Sequence, residues 1–197
     1  MIKIGLTGSI GMGKSTTGQM FVELGCPLHD ADASVHRLYK GKAAPLIEAT
    51  FPGTTNQDGV NRHALAKVVL NDDAAMKKLE SIIHPLVHEE EQTFFERAVK
   101  DGAECVVLDI PLLFETNATA RCDVIVVVSA PEDIQRERVL ARPGMSVEKF
   151  EAIKARQMPD AEKRKRADYV IETGNGMIEA KEQVARIVEE LKHNKKD

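Results

Sequence analysis

The run Gly8-Ser9-Ile10-Gly11-Met12-Gly13-Lys14-Ser15-Thr16 fits the pattern G-x-x-x-x-G-K-[ST] at every fixed position. Glycines at these positions permit left-handed backbone angles that turn successive N–H groups inward, and a nest of amides at a helix N-terminus grips an anion. Lys14 would reach the outer phosphates of a nucleotide and Ser15 would hold a Mg²⁺ ion. Two further sets of residues suit the same chemistry. Asp30 and Asp32 at i and i+2 share one side of an extended chain and could face one cleft, or one of them could cap the helix that follows. Asp109 ends the apolar run Cys105-Val106-Val107-Leu108, the placement by which a carboxylate comes to sit beside a metal at the C-terminal edge of a parallel sheet. Arg138 and Arg142, at i and i+4, would lie on one helix face and supply cations to a transferring phosphoryl group.

The elements that must position these residues follow from periodicity. Met1 to Thr7 reads as a buried strand and Thr16 to Leu24 as an amphipathic helix stopped by Gly25, so the order around the loop is strand, loop, helix. Cys26 to His29 is a brief second strand, and Ala33 to Tyr39 a helix. Residues 41–61, rich in Gly, Pro, Thr and Asn, read as a loop around one short helix. From Arg62 to Val99 the pattern is helical, with a stop and new cap at Asn71-Asp72-Asp73 and a break at His84-Pro85. Cys105 to Asp109, Cys122 to Val128 and Tyr169 to Ile171 complete five buried strands. With helices in every connection they imply an α/β doubly wound parallel five-stranded sheet with right-handed crossovers. Residues 177–192 close the chain as an amphipathic helix.

Composition bounds the class. With 197 residues and 43% hydrophobic content, the chain can bury one α/β core with small appendages. No run of about 18 apolar residues is present and the start is strand-like, so a cytoplasmic protein without a membrane span is expected. Cys26, Cys105 and Cys122 read as small buried thiols rather than a disulfide framework or metal site. The net charge of −4 argues against a nucleic-acid partner. Between Gln135 and Arg166, ten basic residues face five acidic ones, giving +5, while the rest of the chain carries 17 basic and 26 acidic, giving −9. This basic segment reads as a mobile lid carrying Arg138 and Arg142, with Lys163 to Arg166 as a solvated helix face.

Taken together, these residues resemble the dephospho-coenzyme A kinase family of P-loop kinases. The likeness runs from Leu6 through the loop to Thr16, then through Asp30-Ala31-Asp32 with His36, Arg62 with Leu65, and His84-Pro85. It continues in Asp109-Ile110-Pro111-Leu112-Leu113-Phe114-Glu115, Gln135 with Arg138 and Arg142, Gln157, and Ala167 to Ile171. The resemblance implies transfer of the ATP γ-phosphoryl group, with Mg²⁺, to the ribose 3′-hydroxyl of dephospho-CoA. It implies a nucleotide-binding core (1–40, 101–134 and 167–197), a helical acceptor domain (41–100) and a lid (135–166). It makes Asp32 the base on the ribose hydroxyl, places Asp30, His36, Arg62, His84, Asp109 and Leu112 around the acceptor, and keeps Gly8 to Thr16 for the nucleotide. The partners are then two small molecules, ATP and dephospho-CoA, for a monomer or weak homo-oligomer. Ser9 and Met12 stand where the family often has Gly and Ser, Pro143 where an acid is common, and Thr173 where Asn is usual. Two other readings remain at this point. One is another small P-loop kinase for a nucleoside or nucleotide. The other is a nucleotide-dependent switch, suggested by Asn194-Lys195-Lys196-Asp197, which matches the guanine-reading N-K-x-D string but follows a helix rather than a core strand.

Overall fold

The computed structural model describes residues 1–193, so the string from Asn194 to Asp197 lies outside the described residues. The chain divides into two compact units, Met1–His29 with the residues from Ala98 onward, and Asp30–Arg97.

In the first unit, β1 (Ile2–Thr7), β2 (Leu28–Asp30), β5 (Cys105–Asp109), β6 (Val124–Ser129) and β7 (Tyr169–Glu172) form one parallel sheet in the order β2-β5-β1-β6-β7. The apolar run of β5 is buried at every position, as a strand covered on both faces requires. β1 occupies the centre, with Leu6 beside Asp109 on one flank and Thr7 beside Val127 on the other. Helix α1 (Lys14–Glu23) and helix α9 (Met177–His193) pack Met20, Phe21, Val184 and Val188 against the sheet. Each fully buried Val, Leu or Phe contributes about 1.5–3 kcal/mol.

Cys26 and Cys105 are joined by a disulfide, with Cα atoms 5.2 Å apart, which corrects the expectation of separate thiols. Both are buried as expected. Their 79-residue separation says nothing about adjacency, which arises only because β2 and β5 are neighbours in the sheet. The expectation of a helix in every connection also fails once among the described residues. Between β5 and β6 the chain makes successive turns from Pro111 and one short 3-10 helix, Ala118–Arg121. Leu113 and Phe114 are buried within these turns and take the place of a covering helix.

The second unit is helical. Asp30 caps α2 (Ala31–Lys40) by accepting from the Ala33 amide at 2.9 Å. After α3 (Ala43–Thr50), the stretch read as loop makes a small antiparallel pair, β3 (Thr55–Asn56) with β4 (Gly59–Val60). Glu48 organises that turn by accepting from Gly53 N, Thr55 N and Thr55 Oγ1. Helix α4 (Arg62–Val69) follows, and then α5 (Asp73–Lys100), which runs unbroken through Pro85. Sequence reasoning expected a break there, since an interior proline costs roughly 3 kcal/mol. Leu79 and Ile83 before Pro85, and Leu86 and Val87 after it, pack into one core cluster, and this shared burial carries the helix across the proline.

Candidate functional site

The glycine-rich loop from Gly8 to Ser15 follows the central strand β1. Gly11 (φ 81°) and Gly13 (φ 93°) adopt the left-handed region. A Cβ on Gly11 would also lie 2.4 Å from Cγ2 of Val139, so no other residue fits there. No side chain caps α1, whose first N–H groups are therefore left for a ligand. The departures in the loop have a local reason: Met12 is buried and its Sδ accepts from the Ala130 amide at 3.1 Å, while Ser9 is buried as well. Lys14 forms an ion pair with Asp109, both largely shielded from water, while Ser15 and Thr16 are exposed at the start of α1. A cavity of about 350 Å³ lies over the loop from Gly8 to Thr16 and is bounded by Pro111, Arg142 and Gln157. A second, of about 310 Å³, runs from Gly11 and Gly13 past Thr17 and Met20 to Arg138, Arg142 and Met177.

The two arginines are brought to one cavity but not on one helix face. α6 (Glu132–Leu140) ends before Arg142, with Pro143 next in the chain, so Arg138 belongs to the helix and Arg142 to the segment after it. Arg138 is engaged: Nη1 and Nη2 donate to Oγ1 and O of Thr173 at 2.9 and 2.8 Å. Thr173 Oγ1 in turn donates to the Met12 carbonyl at 2.8 Å, so it ties the end of β7 to the loop. Arg142 is exposed and its guanidinium has no hydrogen-bond partner among the described residues.

The basic run from Lys163 to Arg166 is solvated at Arg164, Lys165 and Arg166, as expected, but not at Lys163, which is buried. Around α8 (Asp160–Lys165), Lys163 is fully buried 3.0 Å from Glu115, Arg164 pairs with Glu172, and Lys165 with Glu162. Arg166 lies over the Phe114 ring. Burial pushes the Glu115 carboxyl up, but hydrogen bonds from the Met158 amide and its own, together with Lys163, hold it below the ordinary carboxylate value. The acids that pair with this run are spread over Glu115, Glu162 and Glu172, and charge counting along one segment could not find those beyond it.

In the helical unit a cavity of about 500 Å³ is lined by Asp32, Tyr39, Arg62 and the apolar side chains Val35, Leu65 and Val69. Arg62 stacks over Tyr39 at 5.3 Å, and its Nη2 lies 3.4 Å from Nδ1 of His36. Burial raises the Tyr39 pKa against the opposing pull of the Arg62 guanidinium. Asp30 spends one carboxylate oxygen on its cap. His84 is exposed on α5 and does not line this cavity, and Leu112 is exposed on the turns after β5. Nothing in the sequence by itself signals a role for Thr173, Glu115, Gln135 or Gln157, and Lys163 reads there as part of a solvated face.

No three carboxylate, His or Cys side chains among the described residues gather into a metal cage. The hydroxyl of Ser15 beside a phosphate nest is the sparse donor set that suits Mg²⁺, which keeps waters and takes substrate oxygens. No helix among the described residues is long and apolar enough to cross a membrane.

Comparison with known proteins agrees with this geometry. The dephospho-CoA kinase family model matches residues 2–179. The chain is 57% identical over 192 residues to a dephospho-CoA kinase of Rhizobium etli, covering 98% of this chain and 95% of that protein. It is 58% identical over 188 residues to that of Brucella melitensis, covering 95% and 94%. Its fold is similar to the crystal structure of TT1252 from Thermus thermophilus, with TM-score 0.78, 37% identity and 95% of each chain covered. A family match over residues 2–179 and relatives 57–58% identical over nearly the whole chain lead to one conclusion: the chain belongs to the dephospho-CoA kinase family.

Proposed function

We propose that this protein phosphorylates the ribose 3′-hydroxyl of dephospho-CoA with ATP, giving coenzyme A and ADP, the final step of coenzyme A biosynthesis. Membership of the kinase family supplies the activity and the use of ATP. The observation that carries the mechanism is the uncapped, glycine-lined start of α1 with Lys14 and Ser15 on its first turn. Loop amides hold the β- and γ-phosphates, Lys14 neutralises them, and the Ser15 hydroxyl is the protein's ligand to Mg²⁺. That ion, when bound, lowers the charge on the phosphates. Asp32 takes the proton from the 3′-hydroxyl, the freed oxygen bonds to the γ-phosphorus, and the bond to the bridging oxygen of ADP breaks. Arg138 and Arg142 belong to the lid (135–166), and Arg142 supplies positive charge to the transferring group.

The acceptor domain (41–100), together with Asp32, takes dephospho-CoA. Its cavity pairs apolar walls at Val35, Leu65 and Val69 with the polar groups of Arg62 and Tyr39, a combination suited to an uncharged thiol-bearing arm on an anionic nucleotide. Asp30, His36, His84, Asp109 and Leu112, which lie outside the lining of that cavity, are the remaining acceptor positions of this reading. The enzyme works in the cytoplasm as a monomer or weak homo-oligomer. ADP formation, measured with Mg-ATP against dephospho-CoA and a panel of nucleosides and nucleotides, tests the assignment. Turnover with dephospho-CoA should dominate, and equal or greater turnover with a nucleoside would overturn it.

A further inference from the structure

Two consecutive peptides of the phosphate loop are held by glutamines from outside it. The Ile10 N–H donates to Oε1 of Gln157 at 3.0 Å, and the Ile10 carbonyl accepts from Nε2 of Gln135 at 2.8 Å. The first bond fixes the Ser9–Ile10 peptide and the second the Ile10–Gly11 peptide. Because each peptide is planar, fixing one atom of each fixes the direction of its N–H and C=O together. The loop needs such support, since glycine at 8, 11 and 13 offers no side chain with which to hold itself.

Both glutamines belong to the segment that carries the arginines. Gln135 is buried in α6, three residues before Arg138. Gln157 lies beyond α7 (Val147–Lys154), on the return to α8. Gln157 is itself secured one residue further on. The Met158 amide donates to Oε1 of Glu115 at 2.7 Å, and Nζ of Lys163 lies 3.0 Å from the same oxygen. Lys163 is fully buried, and both its Nζ and the second oxygen of Glu115 are buried with no hydrogen bond of good geometry among the described residues, so the pair is held by charge at close range. A buried ammonium with a single close carboxylate is a poor contributor to net stability, because desolvation offsets most of the attraction. What distinguishes it from an apolar contact is that the buried ammonium holds the Glu115 carboxylate beside it, 3.0 Å away.

We propose that Gln135 and Gln157 are positioning residues for nucleotide binding, each setting one peptide of the phosphate loop, and that the Glu115–Lys163 pair acts through Met158 to seat Gln157. The lid segment is thereby joined to the loop at both ends of the arginine-bearing stretch. The inference rests on the loop being the ATP site.

The test is the Kd of Mg-ADP for the full-length protein, measured by calorimetry beside the KM for dephospho-CoA and the Tm. Gln157→Met and Gln135→Met keep side-chain length and remove the hydrogen bond, and each should weaken ADP about fivefold, one hydrogen bond's worth. The KM for dephospho-CoA should stay unchanged. Lys163→Met should weaken ADP in the same direction, and the double variant Gln157→Met/Lys163→Met should bind no worse than the weaker single, because one acts through the other. If Lys163→Met does not fold, Glu115→Gln, which keeps an acceptor for Met158 but lacks the charge, takes its place in the cycle. ADP affinity unchanged in both glutamine variants, with or without a lowered Tm, would overturn the proposal, as would strict additivity in the double variant. A wild-type protein that does not bind ADP would overturn the ATP-site reading itself, and this inference with it.

Discussion

Replacing Arg138 and Arg142 separately with Ala should separate two roles that sequence spacing assigned to one pair. Arg142 is exposed, borders both cavities at the loop and makes no side-chain hydrogen bond among the described residues, so truncating it leaves the folded contacts in place. A surface change of this kind alters stability by no more than about 0.5 kcal/mol, or roughly 2 °C in Tm for a chain of this size. Its cost should fall on the transition state, where losing one preorganised donor to developing charge lowers kcat by about 10²–10³. Arg138 differs because its two hydrogen bonds, 2.9 and 2.8 Å long, hold Thr173 and through it the Met12 carbonyl. Hydrogen bonds to a charged group contribute ~1.5–3 kcal/mol each when buried, and a half-exposed guanidinium brings the pair to about 2 kcal/mol in total. Arg138→Ala should therefore lower Tm by about 4–8 °C. ADP release coupled to a spectroscopic readout gives kcat and KM, and scanning calorimetry gives Tm on the same samples. An Arg142→Ala protein with wild-type kcat would refute the assignment of Arg142 to the transferring group. A Tm loss in Arg142→Ala as large as that in Arg138→Ala would refute the division of roles.

Asp32→Asn should lower kcat by about 10² or more while leaving ATP affinity intact, as expected for loss of a general base; an unchanged kcat would remove Asp32 from that role. Stability should also depend on Glu115. Its folded-state pKa lies below the ordinary value, so its contribution is fully present above that value and is lost as pH falls through the depressed one. Tm should fall as the pH drops below about 4.5, and it should fall less steeply in Glu115→Gln. Parallel acid profiles for the two proteins would show that the pair is not the source.

Much of this protein was legible in one dimension. The glycine loop from Gly8 to Ser15 is a contiguous string, and left-handed angles at Gly11 and Gly13 with the close approach of Val128 O to Gly8 account for its glycines, so pattern alone located the turn and the strand before it. The five strands were legible for a related reason: a sheet covered on both faces requires unbroken apolar runs such as Cys105 to Leu108. Cap chemistry narrowed Asp30 and Asp32 to two options, and the hydrogen bond to Ala33 makes Asp30 the cap.

What only the tertiary structure decided depends on neighbours far away in sequence. Pro85 argued locally for a break, but a core cluster spanning both sides of it outweighs the lost hydrogen bond. Cys26 and Cys105 met because strand order, not spacing, made them adjacent. Lys163 read as one more surface charge until the turns after β5 brought Glu115 to it, and Gln157 was a bare letter until it reached the amide of Ile10, 147 residues away. Sequence determines which groups exist and what backbone each permits; packing determines which of them meet, because a hydrogen bond or ion pair depends on distance in space and not along the chain.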